Sequence, residues 1–242
     1  MTSRTAAVFR KELRDFRRNK FVVATMLFLP LFLLLIPIAN VLAIKAGTAE
    51  NVVRNTLGGA NLAFFLVPLI LPTVIAAYAV IGEREQGTLE PVLTTPVLER
   101  ELLNGKALAA VVPSVVISYL LYLIYRIVVA TAAAPVVSKL ANEPSWVVAV
   151  VLFAPLLASF SIWVGLAISV RSSDVRVAQQ LSGLAMLPMI GVTALFTFQV
   201  VTPSVAVALI GAAGLAAVDL GAWRVVSAVF DRERLLTRYG SE

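Results

Sequence analysis

Apolar residues run almost without interruption along six stretches of the chain, at about 21–44, 60–82, 107–129, 146–170, 181–200 and 204–228. Charged or turn-forming residues bound each run. A helix needs about 20 mainly apolar residues to cross a hydrocarbon layer about 30 Å thick. Every run meets that length, so the pattern predicts an all-α integral membrane protein of six transmembrane helices. Only Thr202, Pro203 and Ser204 separate the last two runs. Residues 181–228 far exceed one crossing, which argues against a single merged span and leaves room for a short re-entrant turn at the end of the fifth.

The polar positions between the runs set the orientation. Leaving out Arg126 and Arg224, which sit inside or at the ends of runs, fifteen Lys and Arg fall on one set of alternating connections. Three, Lys45, Arg54 and Lys139, fall on the other. The positive-inside rule then puts both termini in the cytoplasm. Residues 1–20 form a separate amphipathic leader helix on the cytoplasmic side. Phe9, Leu13 and Phe16 share one of its faces, and Arg10, Lys11, Arg14, Arg17 and Arg18 cover much of the rest, a pattern that lies at an anionic leaflet. The run after it is too long for the core of a secretory signal and is expected to stay as the first span. The transmembrane domain occupies 21–230 and a cytoplasmic tail 231–242.

Composition agrees with lipid as the main solvent. Hydrophobic residues make up 60% and charged residues 14%, against about 45–50% and about 25% in a soluble domain. The net charge of +6 therefore reads as topology, with no nucleic-acid partner. Cysteine and histidine are absent, which removes disulfides, thiolate and imidazole metal sites and imidazole acid–base catalysis. Gly105-Lys106 is no phosphate-binding loop, because Ala107 stands where Ser or Thr is required. The chain is thus not expected to be an enzyme, nor to bind a cofactor or metal itself.

Function concentrates after the second run, in Gly82-Glu83-Arg84-Glu85-Gln86-Gly87-Thr88-Leu89-Glu90-Pro91-Val92-Leu93-Thr94-Thr95-Pro96. Gly87 permits a sharp turn and Thr88 is placed to cap a short helix. On that helix Leu89, Val92 and Leu93 share an apolar face, and Glu90 lies on another. This stretch, continued by Leu103-Asn104-Gly105-Lys106, resembles the segment joining the second and third spans in type-two ABC exporter permeases. The leader, six spans, short loops and Asp174-Val175-Arg176-Val177-Ala178-Gln179-Gln180 are similar as well.

The resemblance implies a permease that works with a second copy or a homologous permease in the cytoplasmic membrane of a prokaryote. ABC ATPase subunits that carry ATP and Mg would drive it. Its cytoplasmic coupling helix, within residues 83–106, would dock on the ATPase through Glu83, Arg84, Glu85, Gly87, Thr88, Leu89, Glu90, Val92 and Leu93. The expected cargo is a lipophilic or amphipathic drug, peptide antibiotic or lipid. Phe64, Phe65, Tyr78, Phe196 and Phe198 are the candidate wall residues, with packing as the other reading. A haem-exporter-like permease and an ion-coupled secondary transporter are the alternatives.

Asp219 and Arg224 are the charges near the inner end of the sixth run. A structural role is expected for them, by snorkelling or by pairing with other helices. Arg126 is read as an outer-surface anchor beside Tyr119, Tyr122 and Tyr125. Ala213, Ala217 and Gly221 form a small-residue face, for packing within the chain or against a second copy. Prolines at 30, 37, 68, 72, 113, 155 and 188 are either ordinary membrane-helix prolines or hinges, with Pro68 and Pro72 the best-placed pair.

Overall fold

The computed structural model describes residues 3–85, 98–172, 174–198, 200–201 and 204–229, with side chains except at 3, 77–85, 99, 228 and 229. Among the described residues there are eight helices and no strand. They are α1 (Ser3–Arg18), α2 (Lys20–Leu42), α3 (Glu50–Glu85), α4 (Glu99–Ala132), α5 (Pro135–Ala141), α6 (Pro144–Arg171), α7 (Val175–Thr197) and α8 (Val205–Val229). Six of these, α2, α3, α4, α6, α7 and α8, are long and apolar enough to cross a membrane.

The starts of α2, α7 and α8 carry side-chain caps. Asn19 accepts the amides of Phe21 and Val22 at 3.0 and 3.2 Å, and Asp174 accepts those of Arg176 and Val177 at 2.6 and 3.2 Å. Ser204 Oγ takes the Val207 amide at 3.1 Å. Each bond satisfies an amide that the first turn leaves without a partner.

Helices α3 and α6 form the centre, with α2, α4, α7 and α8 around them. Their seam is lined by Leu69, Ala76, Ala154, Leu157, Ala158 and Ile162, each no more than 1% exposed. A side chain at Gly165 would put its Cβ 2.6 Å from the Ala76 Cβ, so the glycine is what lets the two backbones approach. The Ser161 hydroxyl donates to the Leu69 carbonyl across this seam. That bond lies beside Pro72, whose missing amide frees the carbonyl of Pro68.

One proline is answered across helices. Pro155 removes the amide that would have bonded the Val151 carbonyl. Tyr119 on α4 donates its hydroxyl to that carbonyl at 2.7 Å. The tyrosines do not act as one outer anchor. Tyr122 and Tyr125 are buried in the core against Phe64, at ring separations of 5.3 and 4.9 Å. Arg126 donates to the Ala141 carbonyl at 2.9 Å and to the Asn142 side chain, capping the C-terminal end of α5. A cation suits that end of a helix, where carbonyls lack partners.

Helix α3 starts at Glu50, ten residues before the apolar run at 60, because its first turns carry charges that pair. Arg54 bonds Glu50 at 2.8 Å and Glu143, just before α6, at 3.1 Å. The small-residue face of α8 turns away from the protomer: Ala213, Ala217 and Gly221 are exposed, while Ala208, Ala212, Leu215 and Asp219 pack inward.

Tyr119→Phe should lower the stability of the purified permease by about 0.6–1.7 kcal/mol, the range of interhelical hydrogen bonds in membranes. Pro155→Ala should abolish most of that cost, because the restored amide bonds Val151 itself. Thermal unfolding of the two single variants and the double variant in detergent reads the coupling. Additive effects would mean that the tyrosine does not serve the proline.

Candidate functional site

The coupling stretch is bracketed by two helices of the bundle. Glu83, Arg84 and Glu85 form the last residues of α3. Gly87, Thr88, Leu89, Glu90, Val92 and Leu93 lie outside the described residues. The chain is described again from Leu98, whose amide donates to Glu101 Oε2 at 3.2 Å as α4 begins. Leu98 has no oxygen with which to complete a reciprocal capping box.

The leader lies against this lead-in. Its buried positions are Thr5, Glu12 and Phe16, with Val8, Phe9 and Leu13 partly buried. A side chain at Gly105 would put its Cβ 2.6 Å from Val8, so α1 sits close on the second turn of α4. There Glu12 Oε1 meets Lys106 Nζ at 3.0 Å, with the two side chains only 4% and 1% exposed. Lys11 adds a contact to Glu12 at 3.2 Å and one to Asp15 at 3.2 Å. Arg4 stands 3.9 Å from Glu101.

Around this pair Phe16, Val22, Ile75, Leu102, Leu103, Ile162, Leu166 and Val226 form one apolar cluster. It draws together α1, α2, α3, α4, α6 and α8. Trp223 on α8 joins it by donating its indole N–H to Asn104 Oδ1 at 3.3 Å.

A family model for the ABC-2 family transporter protein matches residues 6–233. The chain belongs to that family. No curated protein matches it. It is therefore a multi-pass membrane permease subunit of an ABC transporter, a class that works with ATPase subunits.

The sequence-derived wall residues of this ABC-2 permease divide. Phe64, Phe65 and Phe196 are 2%, 1% and 6% exposed, in one core cluster with Trp146 and Phe153. Ring contacts of 4.9 to 5.7 Å join Phe64 to Tyr125, Phe65 to Phe153, and Phe196 to both Phe153 and Trp146. They pack the protomer interior. Phe198 is half exposed, and the side chain of Tyr78 lies outside the described residues.

Asp219 departs from expectation. It is only 8% exposed, and neither carboxylate oxygen finds a hydrogen-bond partner among the described residues. It does not snorkel, and five residues along a helix put Arg224 about 140° away around the axis. Arg224 is exposed.

Sequence reasoning passed over the Glu12–Lys106 pair. Its signal is an acid inside the apolar stripe of a basic helix, between Phe9, Leu13 and Phe16.

Removing one partner of a buried ion pair costs about 3–5 kcal/mol, because the other charge stays buried alone. Lys106→Met should thus strongly destabilise the permease, and Glu12→Leu on that background should recover most of the loss. A thermal-unfolding double-mutant cycle measures this, and additive losses would show that the two charges do not interact. At the other site, Asp219→Leu should raise stability by about 1–3 kcal/mol by removing a buried polar group without a bond. A lowered unfolding midpoint would show that a partner beyond the described residues holds the carboxylate.

Proposed function

We propose that the chain forms half of the translocation pathway of an ATP-driven exporter, paired with a second copy or a homologous permease in the cytoplasmic membrane of a prokaryote. Both termini face the cytoplasm. A separate ATPase that holds ATP and Mg docks on residues 83–104 and drives alternating access.

One observation carries this reading: the buried Glu12–Lys106 pair ties the leader to the first turns of α4, directly after the coupling stretch. A displacement of residues 86–97 then acts on α3 at one end and on α4 at the other. Through α4 it reaches α1. Glu83, Arg84 and Glu85 supply charge for docking, and Leu89, Val92 and Leu93 an apolar face.

The cargo is a lipophilic or amphipathic molecule such as a drug, a peptide antibiotic or a lipid. Only residues 43–49 join α2 to α3 on the outer side, so cargo is recognised between helices. The outward faces there are apolar: Leu27, Phe28, Leu31, Phe32 and Leu35 on α2 are each at least 45% exposed. Such a wall suits an apolar surface better than a hydrated ion. Ion coupling has one observation in its favour, the Asp219 carboxylate, which has no hydrogen-bond partner among the described residues. A strict need for ATP hydrolysis separates the two mechanisms.

Arg84→Glu combined with Glu85→Arg should abolish stimulation of the ATPase by cargo in the reconstituted complex while leaving the amount of permease unchanged. Unchanged stimulation would move the docking surface elsewhere, with 171–180 the next candidate. A reporter fused to the C-terminus should be active only in the cytoplasm, and activity on the outer side would refute the topology. Across a panel of amphipathic compounds and inorganic ions, the compounds should raise ATPase activity; stimulation by ions alone would overturn the cargo class.

A further inference from the structure

A cavity of about 540 Å³ lies where α1, α4 and α6 meet, beside the buried ion pair and distinct from it. Its lining changes character along α4. Arg100 and Asn104, with Thr5 of α1, form one end; Leu108 and Val111, with Trp163 of α6, form the other. Arg100, Asn104 and Leu108 follow one another at intervals of four, so they share a face of the helix. Eleven residues separate Arg100 from Val111, which at 1.5 Å per residue is about 16 Å of depth.

The polar end has the chemistry of an anion site. Arg100 is an exposed guanidinium. Glu101, which also lines the cavity, has Arg4 at 3.9 Å to offset its charge. Asn104 gives its oxygen to the Trp223 indole, which leaves the N–H donors of its amide for an acceptor on a ligand. The other end offers an aliphatic wall and the Trp163 ring, with Ser159 as one hydroxyl.

Size narrows the ligand further. At about 30 Å³ for each water-sized group, 540 Å³ admits about 18 heavy atoms. That suits a drug-sized ligand and falls well short of a two-chain phospholipid.

We infer that this cavity binds an anionic single-chain amphiphile, its head on Arg100 and Asn104 and its chain along Leu108, Val111 and Trp163. It loads cargo from the cytoplasmic leaflet. The loading role rests on the export reading and its orientation; the binding site itself rests on the lining residues alone.

Purified permease without ATPase, in nanodiscs, tests the binding. The probe is dodecyl phosphate with a bromine on its chain, an anionic single-chain amphiphile within that size, whose bromine quenches tryptophan emission on contact. Quenching should saturate, should be reversed by unbrominated dodecyl phosphate, and should lose its saturable part in Trp163→Phe. Arg100→Gln should weaken binding by about tenfold, the order expected for loss of a charge-assisted bond. Val111→Phe should block the apolar end. If Val111→Phe fails to fold, Arg100→Gln, at an exposed position, still decides the matter.

Equal quenching by a brominated two-chain phosphatidylglycerol, or a saturable part retained in Trp163→Phe, would overturn the site. In the ATPase complex the same alkyl phosphate should stimulate hydrolysis by the wild type and fail to do so with Arg100→Gln. Stimulation unaffected by that substitution would overturn the loading role. A complex with no cargo-stimulated hydrolysis at all would overturn the export reading, while saturable quenching would still establish the site.

Discussion

Inside a bilayer no water is present to bond an amide or carbonyl that the helix leaves free, and each such group costs several kcal/mol. The rest of this structure depends on that constraint. It explains why the apolar runs fold as helices, and it makes a proline within a span a local problem that needs an answer. Tyr119 answers Pro155 by reaching the Val151 carbonyl, and Ser161 bonds the Leu69 carbonyl, one residue from the carbonyl that Pro72 frees. Both bonds come from neighbouring helices. The irregularities that would weaken a lone helix therefore become points of specific contact between α4 and α6 and between α3 and α6.

Lipid also removes most of the hydrophobic drive for helices to associate, because a neighbouring chain is as apolar as a leucine. Close approach has to supply the attraction. Gly165 against Ala76 provides it at the central seam, and Gly105 against Val8 where the leader meets α4. The contact of α1 with α4 adds an interaction of another kind. A buried Glu12–Lys106 pair contributes less to net stability than its Coulomb energy suggests, since both ions lose their water. Its consequence here is geometric. With both charges buried and 3.0 Å apart, a shift of α1 along α4 that separated them would leave each buried alone, so the pair favours this register.

The six spans were legible because length and hydropathy alone decide which segments enter lipid. Their boundaries were less so. Charged residues paired in space look like loop residues in a one-dimensional pattern, which is why the first ten residues of α3, held by Arg54 between Glu50 and Glu143, read as a connection. The same applies to α5, seven residues long and too short for a periodic signal, although Pro135 at its start and Arg126 at its end mark it. Aromatic residues were ambiguous for a different reason. Phe64, Phe65 and Phe196 suit a pathway wall or a core equally well in composition, and only their ring contacts place them in the core. The coupling motif gave the reverse case: its residue pattern is specific in the sequence, and Gly87 to Leu93 lie outside the described residues.

Burial is distributed unevenly over the spans, and the distribution bears on how force could travel. Helix α3 is buried over 67% of its apolar window, against 22% for α2 and 17% for α8. The most enclosed span is thus the one that ends in the coupling stretch. A packed interior does not deform continuously, so a push on α3 is passed on by rigid displacement of what it touches. Its tightest contact is with α6, across a seam with no room for a side chain at Gly165. Separation at that seam would forfeit close contact along its whole length, whereas a small slide would keep most of it. The outer helices α2 and α8 present wide apolar faces. A displacement of α3 would in this way carry α6 with it as one enclosed pair, moving relative to the less buried helices around them.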